Sequence, residues 1–200
     1  MSVLTFNNLS CQKGYNLLFD DLSLVINSGD ILRITGTNGS GKTSLLKILA
    51  GLNAQEQGAI HLDDYPVKSE EYQNAVFYLG HLSALSAELS CLENLKYLNA
   101  LNQPTDEQKL IDALNKIGLQ GYEEEYCGRL SAGQKRRVIL AGLFVSNAKV
   151  WLLDEPFTAL DPQGVEIIER CIGEHCKQGG LCLFTTHQDS ALKNQKVLAL

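Results

Sequence analysis

The sequence predicts an α/β fold in which helices cover a parallel sheet. Three apolar runs, at 31–35, 150–153 and 181–186, are typical of strands buried on both faces. Helical periodicity follows the first two of these runs, as expected when helices connect parallel strands. A length of 200 residues with 44% hydrophobic content is enough for one well-buried domain.

The remaining elements are assigned from their periodicity, taken from the N-terminus. Short β-type segments are predicted at 3–6, 22–26, 58–62 and 75–79. From about 88 to 146 the apolar period becomes helical, and one helix is bounded by a capping-box spacing at Thr105 and Gln108 and by Gly118 at its end. Asp161-Pro162 begins a further helix before the last buried strand. No internal repeat or long linker divides the chain.

Charge and composition exclude several classes of function. The net charge of −6 argues against a protein that coats nucleic acid, because such proteins carry a basic surface. No apolar stretch approaches the roughly 20 residues needed to span a bilayer, and the N-terminus lacks a signal-peptide pattern. The 6 cysteines form no C-x-x-C pair and are expected to be reduced and structural. We therefore expect a cytosolic chain with no membrane span of its own.

Residues 36–43 match the phosphate-loop pattern G-x-x-x-x-G-K-[ST] between a strand and an amphipathic helix. Glycines let the backbone N–H groups point inward at phosphates, and the helix N-terminus adds a positive potential. Lys42 is predicted to contact the β- and γ-phosphates, and the Thr43 hydroxyl to contact Mg²⁺. The predicted nucleotide-binding residues are Gly36, Thr37, Asn38, Gly39, Ser40, Gly41, Lys42, Thr43 and Ser44. The alternative is a glycine-rich turn without function.

Two adjacent carboxylates, Asp154 and Glu155, end the apolar run 150–153. This arrangement is expected of an aspartate that supports Mg²⁺ and a glutamate that activates the attacking water. We predict that Asp154 is a metal residue and Glu155 a catalytic base. The alternative is an exposed pair of acids at a strand end.

The segment 130–137, Leu-Ser-Ala-Gly-Gln-Lys-Arg-Arg, precedes a helical run. The N-terminus of that helix is a second predicted anion-binding site, after the one at the phosphate loop. Taken alone, it is an ordinary capped helix. It resembles the signature motif of ATP-binding-cassette (ABC) ATPases, in which this motif contacts the γ-phosphate of nucleotide bound to the opposite protomer. The resemblance implies that Ser131, Ala132, Gly133 and Gln134 bind nucleotide and that the active unit is a homodimer with two shared sites. Ala132 departs from the commonest motif, which has glycine there.

Other parts of the cassette pattern occur in the expected order. By resemblance, Asp161 is the aspartate that communicates across the dimer, and His187, after Thr185-Thr186, is the switch histidine that contacts the γ-phosphate and helps to hold the catalytic glutamate. A lone histidine is otherwise more often structural. His81 stands where the family has a metal-contacting glutamine. The adenine-stacking ring is assigned to Tyr15, although Lys13 lies nearer the usual position.

The resemblance covers nearly all of the 200 residues. It implies an ABC-type nucleotide-binding domain of the P-loop NTPase class, spanning 1–200 as a single unit with a small antiparallel β subdomain. A helical subdomain is inserted at about 82–137. The cofactors implied are ATP and Mg²⁺.

Several segments together resemble the ATP-binding subunits of cytochrome c maturation systems, described as heme exporter ATPases. They are Gly80-His81, the Leu-Ser-Ala-Gly-Gln segment, Leu-Asp-Glu-Pro-Phe-Thr-Ala and Thr-Thr-His-Gln. This likeness implies ATP hydrolysis that energises heme export or heme-chaperone release during c-type cytochrome biogenesis. It also implies integral membrane partner subunits and a peripheral position on the cytoplasmic side of the inner membrane. We expect a docking surface after His81, including residues 82–85 and 92–95.

Three other functions compete with this interpretation. A soluble ABC ATPase that assists assembly, for example of iron–sulfur clusters, would share every motif. A nucleic-acid mechanoenzyme is disfavoured by the acidic balance and by the lack of tandem cassettes or long coiled coils. A small-molecule phosphotransferase would leave 130–137 and the pair Glu155 and His187 without a role.

Overall fold

The computed structural model describes residues 2–80, 85–100, 106–187 and 190–200. In chain order the strands and helices are β1 (Val3–Lys13), β2 (Asn16–Asn27), β3 (Ile31–Thr35), α1 (Lys42–Leu49), β4 (Gln57–Leu62), β5 (Tyr65–Pro66), α2 (Glu70–Ala75), β6 (Val76–Leu79), α3 (Cys91–Ala100), α4 (Glu107–Lys116), α5 (Ala132–Ala141), β7 (Val150–Leu153), α6 (Pro162–Lys177), β8 (Leu181–Thr185) and β9 (Lys196–Ala199). They form two compact units. The sheet unit comprises Met1–Leu79, Ala148–Glu155 and Ile172–Leu200, and the helical unit comprises Gly80–Asn147 and Pro156–Cys171.

The sheet unit contains one antiparallel and one parallel sheet. The antiparallel sheet has the strand order β2-β1-β4-β5, and the parallel sheet has the order β6-β7-β8-β3-β9. In the parallel sheet, β8 lies between β3 and β7, so Thr185 pairs with Ile34 while Phe184 pairs with Leu153. The predicted α/β class is therefore confirmed, with β3, β7 and β8 adjacent. Their carboxyl ends meet at one edge, which is where open parallel sheets bind ligands.

A hydrophobic core in the sheet unit surrounds α1. The apolar face of this helix is inaccessible to solvent, with Leu45, Leu46 and Leu49 each 0% exposed. It packs among residues from both sheets, including Phe6 of β1 and Leu152 of β7. Burial of a leucine side chain contributes about 1.5–3 kcal/mol, so this face anchors the helix that follows the glycine-rich loop.

Trp151 and His175 pack on a second face of the parallel sheet. Their rings are stacked with centroids 3.8 Å apart and an interplanar angle of 3°. Gly180 lies against the histidine, because an added Cβ there would be 2.2 Å from its Cε1 and Nε2 atoms. His175 is thus a structural residue, and burial lowers its pKa from the ordinary value.

This lowered pKa predicts that acid destabilises the protein through His175. The folded state keeps the imidazole neutral, whereas the unfolded chain binds a proton below about pH 6.5. The free energy of unfolding should therefore fall as the pH decreases through that value and be unaffected by this group above it. Thermal unfolding at pH 7.5 and 5.5 checks this: the loss of Tm on acidification should be smaller in His175→Gln. An equal loss in both proteins contradicts the prediction.

The helical unit has its own core between α3, α4 and α5. Its buried side chains include Leu92, Leu95, Leu110, Leu114, Ile117, Val138 and Leu140. The expectation that residues 92–95 form a docking surface is therefore wrong for Leu92 and Leu95, which are 4% and 0% exposed. Residues 82–84 of that proposed surface lie outside the described parts of the chain. Helix α4 is capped by Asp106, whose carboxylate accepts the Gln108 N–H at 3.1 Å.

All six cysteines lie in described parts of the chain as free, buried thiols. Burial raises the pKa of Cys91 and that of Cys176 to about 12. Such thiols carry almost no thiolate at neutral pH and are therefore poor nucleophiles. Among the residues that the structure describes, no helix combines the length and the hydropathy that crossing a membrane requires.

Candidate functional site

The loop between β3 and α1 is built on three glycines with positive φ. Gly36, Gly39 and Gly41 have φ values of 148°, 87° and 105°. Residues with a side chain rarely adopt this region, so the curl of the loop depends on glycine. At Gly36, space is also limiting, since a Cβ would lie 2.5 Å from the Ser40 Oγ and 2.7 Å from the Leu200 carbonyl oxygen.

Lys42 begins α1 and closes the loop on itself. Its side chain is 8% exposed, and Nζ donates hydrogen bonds of 2.8 Å to the carbonyls of Gly36 and Thr37. The Lys42 ammonium group therefore stabilises the curled conformation of the loop backbone and lies at the centre of the loop. The loop residues 37–39 are exposed, which leaves their backbone accessible to a ligand. The structure thus brings together all nine residues predicted from this motif.

Asp154 links this loop to the parallel sheet. It follows β7, is 2% exposed, and its backbone N–H donates to the Leu79 carbonyl at 2.8 Å. The Thr43 hydroxyl donates to its Oδ2 at 2.9 Å. The structure thus brings Thr43 and Asp154, 111 positions apart in the chain, within hydrogen-bonding distance of each other.

Glu155 lies beside Asp154 with an unusual backbone conformation. Its φ is 51°, in the left-handed region that non-glycine residues rarely occupy. Its side chain is 16% exposed, and Oε1 lies 3.5 Å from the His187 Nε2. The histidine is 56% exposed, so the carboxylate and the imidazole form a pair that opens to solvent. The structure therefore brings both predicted catalytic residues together.

Thr185 contacts both acidic residues, a role that motif matching missed. Its hydroxyl donates to the Asp154 Oδ1 at 2.8 Å and accepts the Glu155 N–H at 2.9 Å. Thr185 ends β8 and is 0% exposed. The available signal in the sequence was a hydroxyl residue at the end of an otherwise apolar run.

Tyr78 adds a buried hydroxyl near these carboxylates. Tyr78 pairs with Leu152 in the β6–β7 ladder, two positions before Asp154. Burial, and secondarily the charge of Asp154, raises the pKa of Tyr78 to about 12. The ring therefore stays neutral at physiological pH, and the site holds no third anion from this residue.

These side chains suit a magnesium nucleotide. Hydroxyl and carboxylate oxygens of Thr43 and Asp154 are hard ligands of the type that Mg²⁺ prefers, and the glycine loop presents backbone N–H groups with a lysine at its centre. Glu155 is more exposed than Asp154, as a group that must reach water requires. The arrangement can bind a triphosphate and polarise a water molecule.

The helical unit contains the predicted second anion-binding segment. Ser131 caps α5: its Oγ accepts the Gln134 N–H at 3.2 Å, and the Gln134 Oε1 accepts the Ser131 N–H at 2.9 Å. Ala132 is the first helical residue and is exposed, so its methyl group imposes no backbone strain. Gly133 has a tighter requirement, because a Cβ there would lie 2.8 Å from the Ala159 carbonyl oxygen. Within this chain, therefore, a side chain fits at 132 but would clash at 133.

Asp161 and Arg137 together link three helices of the helical unit. Its Oδ1 accepts the Gly164 N–H at 2.9 Å and an Arg137 Nη2–H at 2.5 Å, and the Arg137 Nη1 donates to the Ile117 carbonyl. The bond from Gly164, followed by the Arg137 guanidinium, lowers the pKa of Asp161. Within one chain, the carboxylate thus stays ionised and links α5 to the start of α6.

One predicted residue, Tyr15, does not join these clusters. Tyr15 occupies the turn between β1 and β2, and its side chain is fully exposed at 102% of the reference area. His81, the predicted metal contact, lies outside the described residues. The role of each stays a prediction.

Comparisons with known proteins agree with this geometry. The family model described as ABC transporter matches residues 19–158, which include the loop, both carboxylates and the α5 segment. A protein of Aliivibrio fischeri called cytochrome c biogenesis ATP-binding export protein CcmA is 42% identical over 94% of this chain and 93% of its own length. A Colwellia psychrerythraea protein of the same name is 46% identical over 91% of this chain and 84% of its own length.

Solved structures match the fold. An ABC transporter ATP-binding protein from Pyrococcus furiosus aligns with a TM-score of 0.87 at 24% identity, covering 99% of this chain and 97% of that one. A dimeric ATP-binding cassette in a post-hydrolysis state, bound to ADP and Pi, aligns with a TM-score of 0.85 at 20% identity, covering 98% and 94%. Similarity at this level of identity concerns the fold alone.

Proposed function

The chain belongs to the ABC transporter family, and we propose that it is the ATP-hydrolysing subunit of an export complex that serves c-type cytochrome biogenesis. The observation that carries the proposal is the cluster of Thr43, Asp154, Glu155 and His187 beside the glycine loop. The relatives named for cytochrome c biogenesis support the specific process, because they match more than nine tenths of the chain at 42–46% identity. Their description as export proteins favours a transport complex over a soluble assembly factor.

Hydrolysis follows from the position of each group. The loop N–H groups and Lys42 bind the phosphates, and Lys42 exchanges its loop carbonyls for phosphate oxygens. Thr43 and Asp154 would hold Mg²⁺, which would supply positive charge to stabilise the reacting phosphates. Glu155 accepts a proton from water as the water oxygen bonds to the γ-phosphorus and the bond to the β-phosphate oxygen breaks, leaving ADP and inorganic phosphate. His187 orients Glu155 and contacts the γ-phosphate.

The working unit of this proposal is a homodimer in the ATP-bound state. Ser131, Ala132, Gly133 and Gln134 at the start of α5 contact the γ-phosphate held by the partner copy, and Asp161 communicates between the two sites. An exposed, capped helix N-terminus free of acidic residues in its first turn supports this assignment. A solved dimeric cassette of the same fold, bound to ADP and Pi, supports the proposed homodimer. Tyr15 stacks on adenine, and His81 contributes to the metal site.

The complex acts at a membrane in this proposal. The chain works as one ATPase domain, peripheral on the cytoplasmic side of the inner membrane, with integral membrane subunits as its partners. The helical subdomain at about 82–137 transmits closure of the dimer to those subunits, and the cycle drives heme export or release of a heme-loaded chaperone. Nucleic acid has no part in it, in agreement with the net charge of −6.

Affinity isolation tests the partnership. The tagged full-length chain, expressed at its natural level, is purified from detergent-solubilised native membranes, and the bound polypeptides and any porphyrin are identified by mass spectrometry. We expect integral membrane proteins in at least tenfold excess over a mock isolation from the untagged strain. Stable recovery of soluble scaffold proteins without integral membrane subunits contradicts the proposal and supports an assembly factor instead.

A further inference from the structure

We infer that Thr185 is a positioning residue for hydrolysis. Its single hydroxyl group fixes the position of the metal-supporting Asp154 relative to that of the water-activating Glu155. The inference rests on the proposed ATPase function and assigns a role to a residue that the motif comparison treats only as part of the strand before His187. Its basis is the pair of hydrogen bonds that the Thr185 hydroxyl makes, one as donor and one as acceptor.

The donor bond orients Asp154. The two oxygens of this carboxylate are held from opposite sides, because Thr43 donates to Oδ2 at 2.9 Å and Thr185 donates to Oδ1 at 2.8 Å. A carboxylate fixed at both oxygens cannot rotate about its terminal torsion, which is otherwise broad.

The acceptor bond holds the backbone of Glu155. A φ of 51° is unfavourable for a glutamate, so the residue needs an external contact to stay there. The Glu155 N–H donates to the Thr185 Oγ1 at 2.9 Å. That bond fixes the peptide from which the catalytic side chain extends toward His187, at an Oε1–Nε2 distance of 3.5 Å.

The position of Thr185 makes this arrangement rigid. Thr185 is fully buried at the end of β8, and it pairs with Ile34 of β3, the strand that leads into the glycine loop. The hydroxyl therefore sits on a central strand rather than on a loop, and small displacements of a catalytic base cost large factors in rate. These bonds of the hydroxyl reach the Asp154 carboxylate and the Glu155 backbone, so Thr185 acts on hydrolysis through these two neighbours.

Thr185→Val tests the inference, because it keeps the shape and β-branching of threonine and removes only the hydroxyl. In the complex purified from membranes, we expect kcat for ATP to fall by about 10-fold or more, as for loss of a hydrogen bond to a charged group, while KM changes by less than about 3-fold. Thr185→Ser, which retains the hydroxyl, should recover most of kcat. Thr5→Val, the same change in β1 of the antiparallel sheet, is the matched control and should leave turnover unchanged.

Two results would overturn the inference: a folded Thr185→Val complex with wild-type kcat, or a serine variant as slow as the valine variant. If the valine variant does not fold, Thr185→Cys replaces it, since a thiol is a weak donor and acceptor of similar size. Wild-type turnover in the cysteine variant would then count against the hydroxyl. Absence of hydrolysis by the wild-type complex in the same preparation would instead contradict the proposed function.

Discussion

Glu155→Gln is expected to lower kcat for ATP hydrolysis by about 100-fold or more while leaving ATP affinity nearly unchanged. Glutamine has almost the same size and keeps one carbonyl oxygen, so the backbone at φ 51° and the contact with Thr185 are retained. It cannot accept a proton, so the water is no longer deprotonated as it attacks. Because the proposed function assigns the phosphates to the loop and Lys42, binding should persist without cleavage.

The same variant should accumulate the ATP-bound homodimer. In the proposed cycle, hydrolysis is the step that releases the pair, so a variant that binds ATP and does not cleave it should stay dimeric. Phosphate release measures turnover, and light scattering coupled to size exclusion measures the dimer with ATP and Mg²⁺. Glu124→Gln, the same change at an exposed residue of the helical unit, is the matched control. Normal turnover in Glu155→Gln shows that the base is a different residue.

Lys42→Ala is expected to weaken ATP binding itself by about 10- to 100-fold, the range for losing a charge-assisted hydrogen bond. The reason is twofold. The ammonium group is the cation at the centre of the loop, and it also holds the loop closed through the carbonyls of Gly36 and Thr37. Removing it takes away both the favourable charge and the preorganisation of the backbone.

Titration calorimetry with ATP and Mg²⁺ measures this loss directly. Lys47→Ala is the matched control, because Lys47 lies in the last turn of the same helix, away from the loop. We expect the affinity of the control to stay within about twofold of wild type, as is usual for surface changes. Wild-type affinity in Lys42→Ala would mean that the phosphates bind at another place.

The two variants separate two functions of one site. Lys42→Ala should fail before the chemical step, whereas Glu155→Gln should fail at it. The activity of a phosphotransferase that used the loop alone would not depend on Glu155. Glu155→Gln therefore also discriminates between the proposed function and that alternative.

Much of the candidate site was predictable because its chemistry is encoded locally. The loop 36–43 lies between a strand and a helix, and both neighbours are recognisable from apolar spacing alone. Asp154 and Glu155 follow an apolar run, and the run became β7. The predicted capping box at Thr105 was less accurate, since the N-cap of α4 is Asp106 and Thr105 lies outside the described residues. Caps are decided by backbone angles at single residues, which apolar periodicity does not specify.

Other features could not be predicted because their elements are too short or because they depend on contacts between distant residues. Helix α2 has only six residues, fewer than two turns, and strand β9 has only four, one of them a lysine, so neither repeats its pattern often enough to be recognised. The stacking of Trp151 on His175 joins residues from a strand and a helix that no motif connects. The burial of Leu92 and Leu95 depends on which helices pack beside α3, and an apolar stripe looks the same whether it meets a core or a partner.

The order of neighbouring residues was therefore sufficient to predict the glycine loop, the two strand-end carboxylates and the α/β class. Each of these depends on a contiguous motif or on the short period of apolar residues. The three-dimensional fold had to form before Thr43 could reach Asp154 across 111 positions, or Thr185 could reach the Asp154 carboxylate and the Glu155 backbone across 31 and 30 positions. The order of the parallel strands, β7-β8-β3, brings those residues to one edge of the sheet. Strand order arises from packing on both faces of the sheet, a long-range property that no local pattern contains.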